Sequence, residues 1–301
     1  MIISVASGKG GTGKTTFATN FARALDKDVQ FLDCDVEEPN AHIFLKPEIT
    51  KKEFVSTPVP VVDDAQCDYC GVCARICAYN ALAVLKSKVL IFPHLCHGCG
   101  GCRLLCPQHA ITEDDRKIGV VEMGTSGSLQ FVHGTLTVGE VMSPPVIRAV
   151  KKRIDPHKIV IIDAPPGTSC PVIEAIKGSD ICLLVTEPTP FGLHDLVLAV
   201  EVVRKLNMPC GIIINRADIG DDKVEAYCTQ ENIPVLMRIP FDQGIAKMYS
   251  NGTLLVSERT EYVDQFRSVF TNIQRMVHES KTNRRNSHAV YGQKRNTHSA
   301  G

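Results

Sequence analysis

The stretch SGKGGTGKTT, Ser7 to Thr16, limits what this chain can fold into more than any other. It stands between an apolar run, IISVA, and KTTFATNFARALD, which has helical periodicity. Gly8, Gly13, Lys14 and Thr15 satisfy GxxxxGK[ST]. A glycine loop between a strand and a helix presents backbone N–H groups at a helix N-terminus, which makes it an anion cradle. Gly8, Gly10, Gly11 and Gly13 supply the close backbone approach, with Thr12 and Thr16 beside them. Lys14 is placed to neutralise β- and γ-phosphate oxygens, and the Thr15 hydroxyl to bind Mg²⁺. A cradle of this kind needs a parallel α/β framework around it.

The rest of the chain supplies one. DVQFLDCD, KIVIIDAPPG, DICLLVTEP, CGIIINRAD and IPVLMRIP are apolar runs that end in turn residues and alternate with helical stretches such as HDLVLAVEVVRKLN. Strands buried on both faces read this way, so the expected class is α/β with a doubly wound, mostly parallel sheet. Asp163 ends one such strand and can hold a magnesium shell, while the Gly167 N–H can face a γ-phosphate. Asp33 and Asp35 leave a strand end at i and i+2 on one face: one can assist Mg²⁺ and the other can orient an attacking water.

Eight of the thirteen cysteines fall in two runs, CDYCGVCARIC and CHGCGGCRLLC, each spaced CxxCxxCxxxC. Three thiolates spaced in this way wrap one iron–sulfur cube, and the fourth ligates the cube of the sister run. The sets are then Cys67, Cys70, Cys73 with Cys106, and Cys96, Cys99, Cys102 with Cys77. Paired CxxC motifs also make zinc sites, but four ligands per ion do not call for an eight-cysteine repeat in this phase. Cys34, Cys182, Cys210 and Cys228 lie in or beside apolar runs and read as small core hydrophobes. His94, His97 and His109 flank the cluster cysteines, where they either tune a potential or stand exposed.

The cysteine segment resembles a bacterial-type ferredoxin with two 4Fe-4S clusters. Pro107 after Cys106 fits that pattern, and Ala78 departs from it. The second lysine of the loop, Lys9, makes KGGTGKT resemble the deviant phosphate loop of the MinD and ParA ATPases, the Mrp-type iron–sulfur carriers and the nitrogenase iron protein. DCDVEEPN, IIDAPPGTSCPVIEAIKGSD, LLVTEPTPFGLHDL and INRAD extend the likeness over almost all of residues 1–278. The resemblance implies a homodimer through the ATP site, with Lys9 reaching the phosphates of the other subunit as an arginine finger does. It also implies Asp35 as the water-positioning residue, Asp163 in the magnesium shell and Asn215 on the adenine. The nitrogenase iron protein has a ligand of its bridging cluster near the position of Cys170. This chain offers no second ligand there and lacks the C-terminal CxxC of the Mrp carriers, so Cys170 reads as a buried or helix-start thiol.

The expected organisation is a P-loop ATPase domain, 1–58, an inserted α+β ferredoxin-like domain, 59–118, the rest of the ATPase domain, 119–279, and a disordered basic tail, 280–301. Lys plus Arg equals Asp plus Glu at 33 each, so no overall field points to nucleic acid. No apolar run approaches the roughly 20 residues that span a bilayer, and with no export signal the chain is expected to be cytoplasmic. The expected cofactors are ATP, Mg²⁺ and two 4Fe-4S clusters. Three functions fit: slow ATP hydrolysis coupled to electron transfer towards a redox partner, maturation of or cluster delivery to a metalloprotein partner, and a MinD- or ParA-type positioning switch. The last rests on ERTEYVDQFRSVFTNIQRMVH, where Val263, Phe266, Val269, Phe270, Ile273 and Val277 share one helix face. That face fits docking on the core more simply than docking on a membrane.

Overall fold

The computed structural model describes residues 1–25 and 28–295. Seven runs form the parallel strands of the main sheet: β1 (Ile2–Ala6), β2 (Val29–Asp33), β7 (Leu129–Leu136), β8 (Ile159–Asp163), β9 (Ile181–Thr186), β10 (Cys210–Asn215) and β11 (Val235–Ile239). Two long strands, β3 (Glu48–Val62) and β6 (Ile111–Ser126), pair antiparallel and close one edge, giving the order β11-β10-β9-β1-β8-β2-β7-β6-β3. The central strands are buried along nearly their whole length because helices cover both faces.

On one face lie α1 (Lys14–Leu25), α2 (Ala41–Leu45), α9 (Gln243–Ser250), α10 (Leu255–Glu258) and α11 (Glu261–Arg295), packed around Phe17, Phe21, Phe31 and Phe266. On the other lie α5 (Pro144–Lys151), α6 (Cys170–Ile176), α7 (Pro190–Lys205) and α8 (Lys223–Gln230), packed around Val146, Ile162, Val172 and Leu196. The apolar face of α11 belongs to the core: Phe266, Val269, Ile273 and Val277 are buried, and the Phe266 ring lies 5.4 Å from that of Phe17. That face is therefore not left for a membrane or a partner. Backbone helix continues to Arg295, which corrects the expectation of an irregular tail from 280. Lys281 anchors it through Asp180 at 2.7 Å; residues 296–301 lie outside the described residues.

The cysteine segment rides on the β3–β6 ribbon. Pairing runs from Glu48↔Thr125 to Val62↔Ile111, so main-sheet hydrogen bonding crosses the boundaries expected at 58/59 and 118/119. Between the two strands stand α3 (Val72–Ile76), the hairpin β4 (Leu82–Val84) and β5 (Val89–Ile91), a 3₁₀ turn at Pro93–Leu95, and α4 (Gly101–Leu104). They share a small core of their own, with Cys73, Ala81, Leu82, Val89 and Ile111 buried.

Candidate functional site

The phosphate loop leaves β1 and enters α1 with Gly11 and Gly13 at φ +78° and +87°, a region open to glycine at little cost. Two of its glycines are fixed by close approach as well. A Cβ on Gly8 would lie 2.3 Å from the Asp195 carbonyl oxygen, and one on Gly13 would lie 2.4 Å from Asn215 Nδ2. The Thr12 hydroxyl is buried with no hydrogen-bond partner, as a group that awaits a phosphate oxygen would be.

Three strand ends converge behind the loop. Lys14 Nζ lies 2.6 Å from Asp163 Oδ1 and 3.7 Å from Asp35 Oδ2, and the Thr15 hydroxyl donates to Asp163 Oδ2 at 2.6 Å. Burial works against the Lys14 charge, but Asp163 and then Asp35 outweigh it, so its pKa is raised. Asp33 is fully buried; its two oxygens accept from the Asp35 and Ala41 N–H groups, and it holds the segment that carries Asp35. Burial, then Asp163, raises Asp33 strongly, and burial raises Asp35 to about 6 against the pull of Lys14.

Three residues picked from the sequence are engaged differently from the expectation. Gly167 N–H donates to the Ser7 carbonyl at 2.9 Å, so a γ-phosphate contact requires that bond to open. Asn215 Nδ2 donates to the Thr12 carbonyl at 2.9 Å and braces the loop, while its side chain also lines a cavity of about 270 Å³. Lys9 Nζ points within its own chain to Glu187 Oε2 at 4.0 Å, and Arg216 reaches the other Glu187 oxygen at 2.9 Å. Sequence reading missed the cavity walls, Ile239, Phe241 and Tyr249 among them. It also missed Glu187, a buried acid in LLVTEP between two cations. The only signals were the PFD turn after an apolar run and an acid at the end of another.

The eight clustered cysteines form two sets. Cys67, Cys70, Cys73 and Cys106 line one cavity; Cys77, Cys96, Cys99 and Cys102 line the other. The sequence repeat is also a backbone repeat: Tyr69 and Gly98, Gly71 and Gly100, and Asn80 and His109 take positive φ at matching positions. Backbone N–H groups of Ala81 and Gly98 point at the sulfurs of Cys77 and Cys96, at 3.3 and 3.4 Å. Burial raises the thiols of Cys73 and Cys102, the third cysteine of each run. Among the described residues no three His, Cys, Asp or Glu side chains are grouped so as to hold a metal ion, and every cysteine is free of disulfide. His97 stacks on Tyr79 with ring centroids 3.4 Å apart, and the His94 side chain is 68% exposed. Of the other cysteines, Cys34, Cys182 and Cys228 are buried, Cys210 is half-buried, and Cys170 is exposed at the start of α6.

This parallel sheet, with a phosphate loop after β1 and acids at the ends of β2 and β8, can be set beside known proteins. Residues 3–256 match the model of the CobQ/CobB/MinD/ParA nucleotide-binding domain. The chain belongs to that family. An uncharacterized protein of Methanocaldococcus jannaschii is 30% identical over 274 residues, covering 88% of this chain and 96% of that protein. A Pyrococcus horikoshii protein named iron-sulfur cluster carrier protein is 24% identical, covering 80% of this chain and 74% of its own length. In fold, the septum site-determining protein MinD of Pyrococcus horikoshii, complexed with Mg-ADP, superposes with a TM-score of 0.55 at 20% identity. That likeness covers 93% of this chain and 98% of MinD. Among the described residues no helix is long and apolar enough to cross a membrane.

Proposed function

We propose that this chain is an ATP-hydrolysing iron–sulfur protein in which nucleotide state governs what two 4Fe-4S clusters do for a metalloprotein partner. The observation that carries the reading is the division of eight cysteines into two cavities, each lined by three from one run and one from the other. That arrangement suits a cube held at four corners. Backbone N–H groups aimed at two of the sulfurs are the donors such a cluster uses to set its potential. When bound, the clusters would supply one-electron chemistry or serve as cargo.

At the nucleotide site Lys14 would neutralise phosphate oxygens, and the loop N–H groups would cradle them. Thr15, Asp163 and Asp33 would hold Mg²⁺, which would draw charge from the β- and γ-phosphates. Asp35, on the mobile side of Lys14, would orient the attacking water. Lys9 would leave Glu187 and enter the site of a second copy, so that a homodimer completes the charge stabilisation. No strong base stands in the pocket, and turnover is therefore expected to be slow without dimer or partner. The cavity at Phe241 and Tyr249 would take the base of the nucleotide.

Cluster delivery is favoured by relatives named iron-sulfur cluster carrier protein. Electron transfer is the second reading, favoured by the closed four-cysteine sets, which would grip their clusters firmly. One anaerobic experiment separates them. The cluster-loaded protein is mixed with a cluster-free acceptor and MgATP, and iron in the acceptor is followed beside the reduction potentials with ADP and with a non-hydrolysable ATP analogue. ATP-dependent iron transfer supports delivery. A nucleotide-dependent potential without transfer supports electron transfer, and neither effect removes the proposal.

A further inference from the structure

The connection between β7 and α5, residues 137–143, stands out from the surface: Val138 is fully exposed and Val141 is 70% exposed. Yet it turns one acid inward, since the Glu140 side chain is only 8% exposed. Glu140 Oε1 accepts from Arg116 Nη1 on β6, and it lies 3.9 Å from Nδ1 of His94, two residues before Cys96. The same segment is tied at its other end to the nucleotide site. Leu136 N–H donates to the Val36 carbonyl at 2.7 Å, and Thr137 N–H to the Ile118 carbonyl at 2.9 Å. Val36 follows Asp35, whose carboxylate sits 3.7 Å from Lys14.

These contacts form a short chain from phosphate loop to cysteine segment: Lys14 to Asp35, Val36 to Leu136, and Glu140 to Arg116 and His94. Its middle is tightly packed. A Cβ on Gly134 would lie 2.8 Å from Val36 Cγ1 and from Val150 Cγ2, so Val36 has no slack towards β7. Interiors packed this closely pass displacement on rather than absorb it.

We propose that Glu140 is the joint through which a change at Asp35 reaches the segment around Cys96. A nucleotide that draws Asp35 away from Lys14 shifts Val36, β7 follows, and the clasp of Glu140 on Arg116 and His94 is re-set. The inference rests on the function proposed above. The buried carboxylate makes the joint stiff, because an acid taken out of water stays fixed to its cation.

Hydrogen exchange of the backbone amides of residues 93–98, in the cluster-loaded protein with ADP and with a non-hydrolysable ATP analogue, tests this. The wild-type protein is expected to differ between the two nucleotides, and Glu140→Gln is expected to shrink that difference about fivefold or more, as loss of a typical coupling would. Nucleotide affinity and iron content should stay within about twofold of wild type, since Glu140 touches neither nucleotide nor cysteine. Should Glu140→Gln not fold, Glu140→Asp, which keeps the charge but shortens the reach, carries the same expectation. A variant that folds, binds nucleotide and retains the full difference overturns the joint and leaves the proposed function standing. A wild-type protein with no difference overturns both.

Discussion

Lys14 Nζ lies 2.6 Å from Asp163 Oδ1, and the second oxygen of the same carboxylate accepts from the Thr15 hydroxyl at 2.6 Å. The loop lysine is thus held by the acid at the end of β8, and a nucleotide must compete for both donors. Removing one partner of a buried ion pair typically costs about 3–5 kcal/mol, because the other charge is left unpaired. Asp163→Ala is therefore expected to lower nucleotide-free stability by roughly that range, reduced to the extent that Asp35 takes over Lys14. Denaturant unfolding measures it. A loss below about 1 kcal/mol would mean that the pair stabilises little.

Lys9 and Lys14 are expected to part in their effects. Lys14 is buried in the loop, whereas the Lys9 side chain is 34% exposed and held only by Glu187 at 4.0 Å. Lys14→Ala should weaken ATP binding itself. Lys9→Ala should leave binding within about threefold of wild type while turnover falls by about 10³ or more, as with loss of an arginine finger. Equilibrium binding beside phosphate release separates the two, and loss of binding in both variants would contradict the assignment of Lys9 to a second subunit.

Asp35 gives nucleotide-free stability a pH dependence of definite sign. Burial raises its pKa from 3.8 to about 6. The folded protein then keeps a proton that the unfolded chain has lost, so its contribution to stability is whole below the lower value and declines as pH rises to the higher. Asp35→Asn removes that decline. The stability of the variant relative to wild type is expected to rise by no more than about 3 kcal/mol between about pH 4 and pH 7. A relative stability that falls over that range would mean that Lys14, not burial, dominates the site.

The sheet and its loop were legible because their signals are local: an apolar run, glycines at fixed offsets, then a helix. The ribbon was not. Pro58 and Pro60 read as an interruption, and TEDDRKIG as a polar break. Both are strand because β3 is the edge of the sheet, where a missing N–H costs no ladder bond. Charges that looked like a loop face each other across it, as Lys52 does Glu122 at 3.1 Å. The end of α11 was missed for a related reason: a helix polar on every side has no period to read. Glu187 and Glu140 escaped because an isolated acid in sequence says nothing of the cations that the fold brings to it.

The pairing of cysteines across the two runs allows a test that no single-run arrangement would pass. Cys106 shares a cavity with Cys67, Cys70 and Cys73, although in sequence it closes the other run. Cys77 likewise shares the cavity of Cys96, Cys99 and Cys102. Cys106→Ser should therefore disturb the cluster of the first run, and Cys77→Ser that of the second. The second cavity lies nearer Glu140, through His94. Iron content should fall by about half where serine fails to ligate. Electron paramagnetic resonance of the reduced protein should then lose the coupling between two neighbouring clusters and keep the signal of one. The surviving cluster identifies the set: a Cys106→Ser, Cys99→Ser double variant should lose both, whereas Cys106→Ser with Cys70→Ser should keep one. If the first of these doubles kept a cluster and the second lost both, each run would be closed by its own fourth cysteine and the crossed assignment would be wrong.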